Sequence, residues 1–232
     1  MERKKKLKIK IFVLCYNEKT KYYAIDTYGK FEWASILLIE TSVKELENIM
    51  YLQWLGENAD QWKDCDFVGT LSWIANKKIN VEKLNSVLTN IINNNVALSR
   101  NDVVSFYTIA GEMIKQTERN HPLFAKIWNA VLSDCGFCHS VVNSDQIPFI
   151  ACNYWMAEPS VMDRYCAFQK KIKKKVDTTP GISSDTGYKG AIDKNRLLKI
   201  FGKPYYTYHP FVYERMIGFF LFTSKDLCWA SV

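Results

Sequence analysis

Apolar and polar positions along the chain repeat first at the period of a strand and then at that of a helix, and the switch recurs several times. In residues 7 to 14, Ile9, Ile11 and Val13 alternate with Lys8 and Lys10 before the run becomes continuously apolar, as a strand does on entering a covered sheet. It leads into Cys15-Tyr16-Asn17-Glu18. The next 13 residues are polar and Tyr-rich, and 35 to 40 form a second short apolar run. Ser42 and Glu45 then make a capping box for a helix that turns Leu46, Ile49, Met50 and Trp54 inward and ends at Gly56. Residues 67 to 73 read as a third strand. Asn80 caps a helix with Leu84, Val87, Leu88, Ile91 and Ile92 on one face, and 102 to 109 read as a fourth strand. Pro122 occupies the first position of a further helix that Gly136 stops.

Residues 147 to 168 organise the rest. Their first half is apolar and rich in β-formers; their second opens with Pro159 and places Met162, Tyr165, Cys166, Gln169 and Ile172 at helical spacing. This predicts a buried strand running into a helix. Asn153 falls where the strand ends, and a buried carboxamide there either ties down the backbone or binds a ligand, since it must find partners. Beyond it come a Gly-, Ser- and Thr-rich loop over 176 to 190, a short helix over 193 to 201, an aromatic extended segment over 204 to 210, and an apolar helix over 211 to 222 that carries Glu214-Arg215 near its start. Strands alternating with helices predict an α/β fold, with a mostly parallel central sheet flanked by helices and ligands at the carboxyl ends of its strands. The expected organisation is a single domain over 1 to 232, with a basic tail at 1 to 6 and a mobile loop at 176 to 190.

Composition narrows this picture. A chain of 232 residues with 48% hydrophobic and 14% aromatic content buries a large core and is not disordered. No apolar run reaches the roughly 18 residues that cross a bilayer, and the basic start lacks a signal-peptide core, which predicts a cytoplasmic location. Seven cysteines, odd in number and mostly in apolar runs, suit reduced thiols. Cys135 and Cys138 form a CxxC pair, but neither a second pair nor His121, His139 or His209 completes a zinc site by spacing. The net charge of +7 favours an anionic partner, whether nucleic acid, nucleotide or membrane surface. Lysines within 170 to 175 are either a solvated helix end or a basic lip beside a diphosphate. The chain has no GxGxxG, Walker A, GxSxG or HExxH motif.

Ile-Phe-Val-Leu-Cys-Tyr-Asn-Glu at 11 to 18 resembles the first strand and nucleotide loop of GT-A-type glycosyltransferases. The helix containing residues 47 to 54, with Asp-Phe-Val-Gly from Asp66, resembles the small glycosyltransferase domains of bacterial capsular-polysaccharide synthesis and large algal viruses. Asn-Tyr-Trp-Met-Ala-Glu-Pro from Asn153, Met-Asp-Arg-Tyr from Met162, and Phe-Val-Tyr-Glu-Arg-Met from Phe211 follow the same late pattern. The resemblance implies a GT-A-like, Rossmann-like fold and a nucleotide-sugar donor, UDP-sugar favoured, with a glycan or glycoprotein hydroxyl as acceptor. It implies a donor site drawn from Cys15, Tyr16, Asn17, Glu18, Thr70, Ser72, Trp73, Asn153 and Arg215, often with Mn²⁺ or Mg²⁺ neutralising the diphosphate.

The pattern is broken in one place. Asp64-Cys65-Asp66 has the spelling of the family's metal motif but precedes its strand, so Asp64 and Asp66 are either displaced ligands or turn residues, and His209 either reaches a metal or phosphate oxygen or is structural. For the base that activates the acceptor, Asp145 is the first candidate and Glu214 the second; a turn cap and an ion pair with Arg215 are their structural alternatives. A nucleic-acid-binding module and a catalytically silent sugar-binding relative are the competing functions. Strong salt dependence would mark the first.

Overall fold

A computed structural model describes residues 6–39, 47–94, 102–188 and 193–232. In chain order the elements are β1 (Ile9–Cys15), α1 (Glu18–Tyr28), β2 (Ala34–Leu38), α2 (Glu47–Glu57), β3 (Phe67–Ser72), α3 (Val81–Asn94), β4 (Val103–Ser105), β5 (Thr108–Ile109), α4 (Met113–Asn120), α5 (Phe124–Asp134), α6 (His139–Val142), β6 (Phe149–Ile150), β7 (Trp155–Ala157), α7 (Pro159–Thr178), α8 (Lys194–Phe201), α9 (His209–Thr223) and β8 (Trp229–Ser231). The main sheet runs β2-β1-β3-β7-β4-β8, and all its strands share one direction except β7, which is antiparallel to both β3 and β4. β5 and β6 pair separately. The architecture is therefore the expected α/β arrangement of a mostly parallel sheet between helices.

The closed apolar run of β1 follows from this layering. Ile11 and Val13 face a core built with Tyr28, Trp33, Leu71, Leu84 and Leu88, while Phe12 and Leu14 face the opposite core of Leu52, Trp62, Trp155, Met162 and Ile217. Both faces of the strand are covered, so both must be apolar. Each fully buried side chain of this size contributes roughly 1.5 to 3 kcal/mol. The connection after β1 leaves to the face that α1 and α3 cover, and the one after β2 to the face of α2, α7 and α9. Diverging connections open a crevice at the carboxyl ends of the strands.

Several boundaries differ from the sequence expectation. The polar, Tyr-rich residues after β1 form α1, which Asn17 begins by accepting a hydrogen bond from the Thr20 amide at 2.9 Å while the Thr20 hydroxyl receives the Asn17 amide at 3.2 Å. The expected strand over 102 to 109 is split into β4 and β5, and the one in 147 to 158 into β6 and β7. The second break occurs at Cys152 (φ 62) and Asn153 (φ 55), two consecutive left-handed residues that no strand accommodates. Pro122 does not open α5: Leu123, left-handed at φ 71, stands at its cap, and the Glu118 carboxylate receives the Leu123 and Ala125 amides at 2.7 and 2.6 Å. The last helix starts earlier than expected, at His209. The Ser42–Glu45 capping box lies outside the described residues.

The loop expected to be mobile is shortened by α7, which continues to Thr178. The Thr186 amide donates to the Tyr206 carbonyl and the Tyr208 amide to the Ile182 carbonyl, both at 3.0 Å, and Ile182 and Thr186 are buried. Its described part is thus pinned to the segment before α9. No helix among the described residues is long and apolar enough to cross a membrane.

The helix α9 lies close against the chain entering β6, because Gly218 brings its backbone onto the Pro148 carbonyl; a Cβ there would overlap that oxygen. Gly218→Ala is expected to lower unfolding free energy by about 3 kcal/mol, the upper range for overpacking against unyielding backbone. Urea denaturation checks this, and a loss below about 1 kcal/mol would mean that α9 can shift away.

Candidate functional site

Antiparallel β7 enters the sheet from the carboxyl edge of β3, so residues just before it meet residues just after β3. Thr70, buried on β3, donates its hydroxyl to the Asn153 carbonyl at 2.6 Å, and the Ser72 and Tyr154 hydroxyls bond to one another. From the other side, the Glu214 carboxylate near the start of α9 accepts the Cys152 amide on one oxygen and the Arg215 guanidinium on the other. The left-handed turn is therefore clamped from both sides, by a hydroxyl and by a carboxylate.

What the clamp presents is the Asn153 side chain. It is 2% exposed, and both its Nδ2 and Oδ1 are buried with no hydrogen-bond partner. Leaving a buried polar group unsatisfied costs about 1 to 3 kcal/mol. A carboxamide carrying that cost in an uncommon backbone conformation marks this turn as the candidate site.

Charge surrounds this turn. The loop between β3 and α3 is tied to α1, with the Asn76 amide on the Tyr28 hydroxyl and the Asn76 side chain on the Tyr23 hydroxyl, each at 2.9 Å. It delivers the Lys78 ammonium to 2.9 Å from Cys152 Sγ. Burial would lower the pKa of Lys78, but the Cys152 sulfur and the Glu214 carboxylate outweigh it and raise the value. The thiol is pushed up to about 12, chiefly by burial and by Glu214 against the opposing pull of Lys78, so it is an inert neutral group. Burial likewise favours protonated Glu214, yet Arg215, Lys78 and the Cys152 amide together hold its carboxyl below the usual range.

Arg215 is itself buried. Its Nε donates to Thr117 Oγ1 at 3.1 Å, and its guanidinium lies 4.9 Å from the Phe149 ring centre and 5.8 Å from that of Phe211. Phe211 in turn stacks on His121 at 3.5 Å, and Tyr188 stacks on the same imidazole at 5.3 Å. Burial, with the Arg215 charge adding to it, pushes His121 down to about 4.

The remaining sequence candidates separate into three groups. Cys15 is wholly buried at the end of β1, whereas Tyr16 is half-buried and Asn17 and Glu18 are exposed at the start of α1, on the carboxyl edge that Thr70, Ser72, Asn153 and Arg215 approach. Trp73 packs edge-on against Tyr23 at 5.4 Å on the same rim. Asp145 is different: it sits exposed in the turn between α6 and β6, and no described contact joins it to Asn153 or Glu214. Lys78 was missed altogether, because a lysine in a polar loop carries no local signal.

Asp64 and Asp66 stand ahead of their strand, as the sequence places them. They flank the amino end of β3, where Lys8 pairs with Asp64 and the Lys8 amide bonds Asp66 Oδ2 at 2.7 Å. The length of the strand, roughly 20 Å, separates them from the carboxyl edge. His209 lies on a different element, buried at the start of α9 with its Nδ1 3.4 Å from Thr207 Oγ1. These three do not form one site. Among the described residues no three His, Cys, Asp or Glu side chains come together, and Glu214, the carboxylate of the clamp, is occupied on both oxygens. The described donor set does not fit the oxygen-rich shell of Mn²⁺ or Mg²⁺.

Acid should act on this cluster in two stages. Folded His121 resists protonation while the unfolded chain takes up a proton near 6.5, so stability is expected to fall as pH drops from about 6.5 to about 4. Glu214 has the depressed pKa of a group stabilised as carboxylate, so its contribution is full above its usual value near 4.5 and is lost at lower pH. Chemical denaturation across pH 3 to 8 should show both steps; His121→Phe should remove the first. A flat profile between 6.5 and 4 would contradict the burial of a neutral imidazole.

No protein-family model and no curated protein matches the sequence. Among solved structures, the apo form of the bifunctional glycosyltransferase WbbM is similar in fold, with a TM-score of 0.59 at 9% identity, over 97% of this chain and 44% of that one. The chain therefore spans less than half of that enzyme's length and shares the fold of a glycosyltransferase.

Proposed function

We propose that this protein is a glycosyltransferase that moves a sugar from a nucleotide diphosphate donor, UDP-sugar favoured, to a hydroxyl of a glycan or glycoprotein. The observation that carries the reading is Asn153: a buried carboxamide with both polar atoms unpartnered, clamped at the carboxyl edge of a sheet whose fold matches a glycosyltransferase. A sugar ring offers adjacent hydroxyls that both donate and accept, which suits Nδ2 and Oδ1 together. Tyr16, Asn17 and Trp73 then form the rim available to the nucleotide, and Thr70 and Glu214 hold the turn rather than touch the sugar. Because its pKa is depressed, Glu214 is a poor base for an acceptor hydroxyl, and its role is that of a positioning group.

A thermal-shift screen of UDP, GDP, CMP and their sugars, each with Mn²⁺, Mg²⁺ or EDTA, tests this reading. A ligand at about 100 times its Kd adds roughly 2.7 kcal/mol, or about 5 to 10 °C for a chain of this size. One base class is expected to produce that shift. Asn153→Gly keeps the left-handed backbone accessible and removes the unpaired carboxamide, so its unliganded stability should stay within about 1 kcal/mol of the parent while the sugar-dependent part of the shift disappears. A melt raised by single-stranded nucleic acid and by none of the nucleotides would replace the transferase reading with a polyanion-binding one. Donor binding without transfer to any acceptor would favour the catalytically silent relative.

A further inference from the structure

Breaking a bond to a nucleoside diphosphate leaves negative charge on the departing phosphate, and something positive must meet it. The described carboxyl edge offers a divalent ion poor accommodation: β3 ends in Ser72-Trp73, Glu18 faces Lys21 at 3.2 Å, and Glu214 is committed to Arg215 and the Cys152 amide. It offers a fixed cation instead. Lys78 follows β3 by six residues, is anchored through the Asn76 contacts to Tyr23 and Tyr28, and is held over the turn that presents Asn153. The lysine remains partly exposed, and it lines an open groove of about 580 Å³ with Thr27, Asn76, Lys77, Asn80 and Glu82 among its other residues.

We infer that Lys78 is the group that neutralises the diphosphate of the donor, in the place where a divalent ion would otherwise be required. The inference rests on the proposed transferase function and deepens it. The neighbour of the ammonium is a thiol sulfur, which accepts only a weak hydrogen bond. A phosphate oxygen reaching the ammonium would exchange that weak contact for a charge-assisted one. Against burial, the Cys152 sulfur first, and Glu214 behind the turn after it, hold the Lys78 pKa raised, and no described ion pair joins Glu214 to Lys78. In the reaction the C–O bond between the sugar and the β-phosphate breaks, its electron pair stays on the phosphate oxygen, and the sugar carbon bonds to the acceptor oxygen. The acceptor proton leaves with a base or water. Lys78 balances the charge of the departing diphosphate without being consumed.

Affinity measurements in EDTA distinguish this role from a structural one. UDP and GDP are titrated into the full chain, each against its own nucleoside, for the parent, Lys78→Gln and Lys78→Arg. The parent should prefer one diphosphate over its nucleoside by tenfold or more without metal. Lys78→Gln should lose most of that preference while nucleoside affinity and melting temperature stay unchanged, and Lys78→Arg should retain most of it. A preference equal in Lys78→Gln and the parent, or one that appears in the parent only after Mn²⁺ or Mg²⁺ is added, overturns the inference and leaves the transferase reading standing. If the parent binds neither diphosphate, with or without metal, the transferase reading fails too, and that result is visible before any variant is compared.

Discussion

Glu214 holding the Cys152 amide is the contact on which the site depends. Two successive left-handed residues are costly for side chains other than glycine, and they persist only where neighbours over-determine them. Here the carboxylate fixes one peptide of the turn and Thr70 fixes the next carbonyl. Arg215 keeps the carboxylate charged, and Phe149, Phe211 and Thr117 keep Arg215 in place. One ion pair thus joins α9, α4 and β6 to the turn at the edge of the main sheet.

Stability and ligand readiness pull against each other in this arrangement. A glycine at 153 would suit the backbone, and a partner for the carboxamide would remove an unsatisfied pair of atoms. The protein retains neither. The surrounding cores carry the cost: Trp62, Trp128, Trp155 and Phe219 are all fully buried, and large apolar side chains cover both faces of the sheet. A rigid scaffold permits one strained, polar point without loss of order.

The sequence made the layered fold legible wherever periodicity was strong, as in β1, α3 and α7. It failed where the information was tertiary. The helix α1 has little amphipathic pattern, and its signal lay in the Asn17 and Thr20 cap rather than in apolar spacing. The breaks in the two late strands come from left-handed Cys152 and Asn153, positions that no glycine announces. Asn153 was visible because a polar residue interrupted an apolar run, and Glu214 and Arg215 because two charges opened an apolar helix. Lys78 was invisible because its placement depends on tyrosines about 50 residues earlier in the chain. Asp64 and Asp66 were legible as turn residues because their place ahead of the strand outweighed their spelling.

The reversed direction of β7 gives the site an unusual place in the order of synthesis. In a parallel strand, site residues follow the strand that carries them; here Asn153 precedes its strand and must wait for β3, made some 80 residues earlier, to receive it. The carboxylate that locks the turn arrives a further 60 residues later on α9. A chain emerging from a ribosome can therefore build β1, β2, β3 and the helices between them long before it can hold Cys152 and Asn153 in their left-handed pose. The turn takes its shape only once α9 is made, so a nascent chain halted before α9 would have most of the sheet without the carboxylate that locks Cys152 and Asn153.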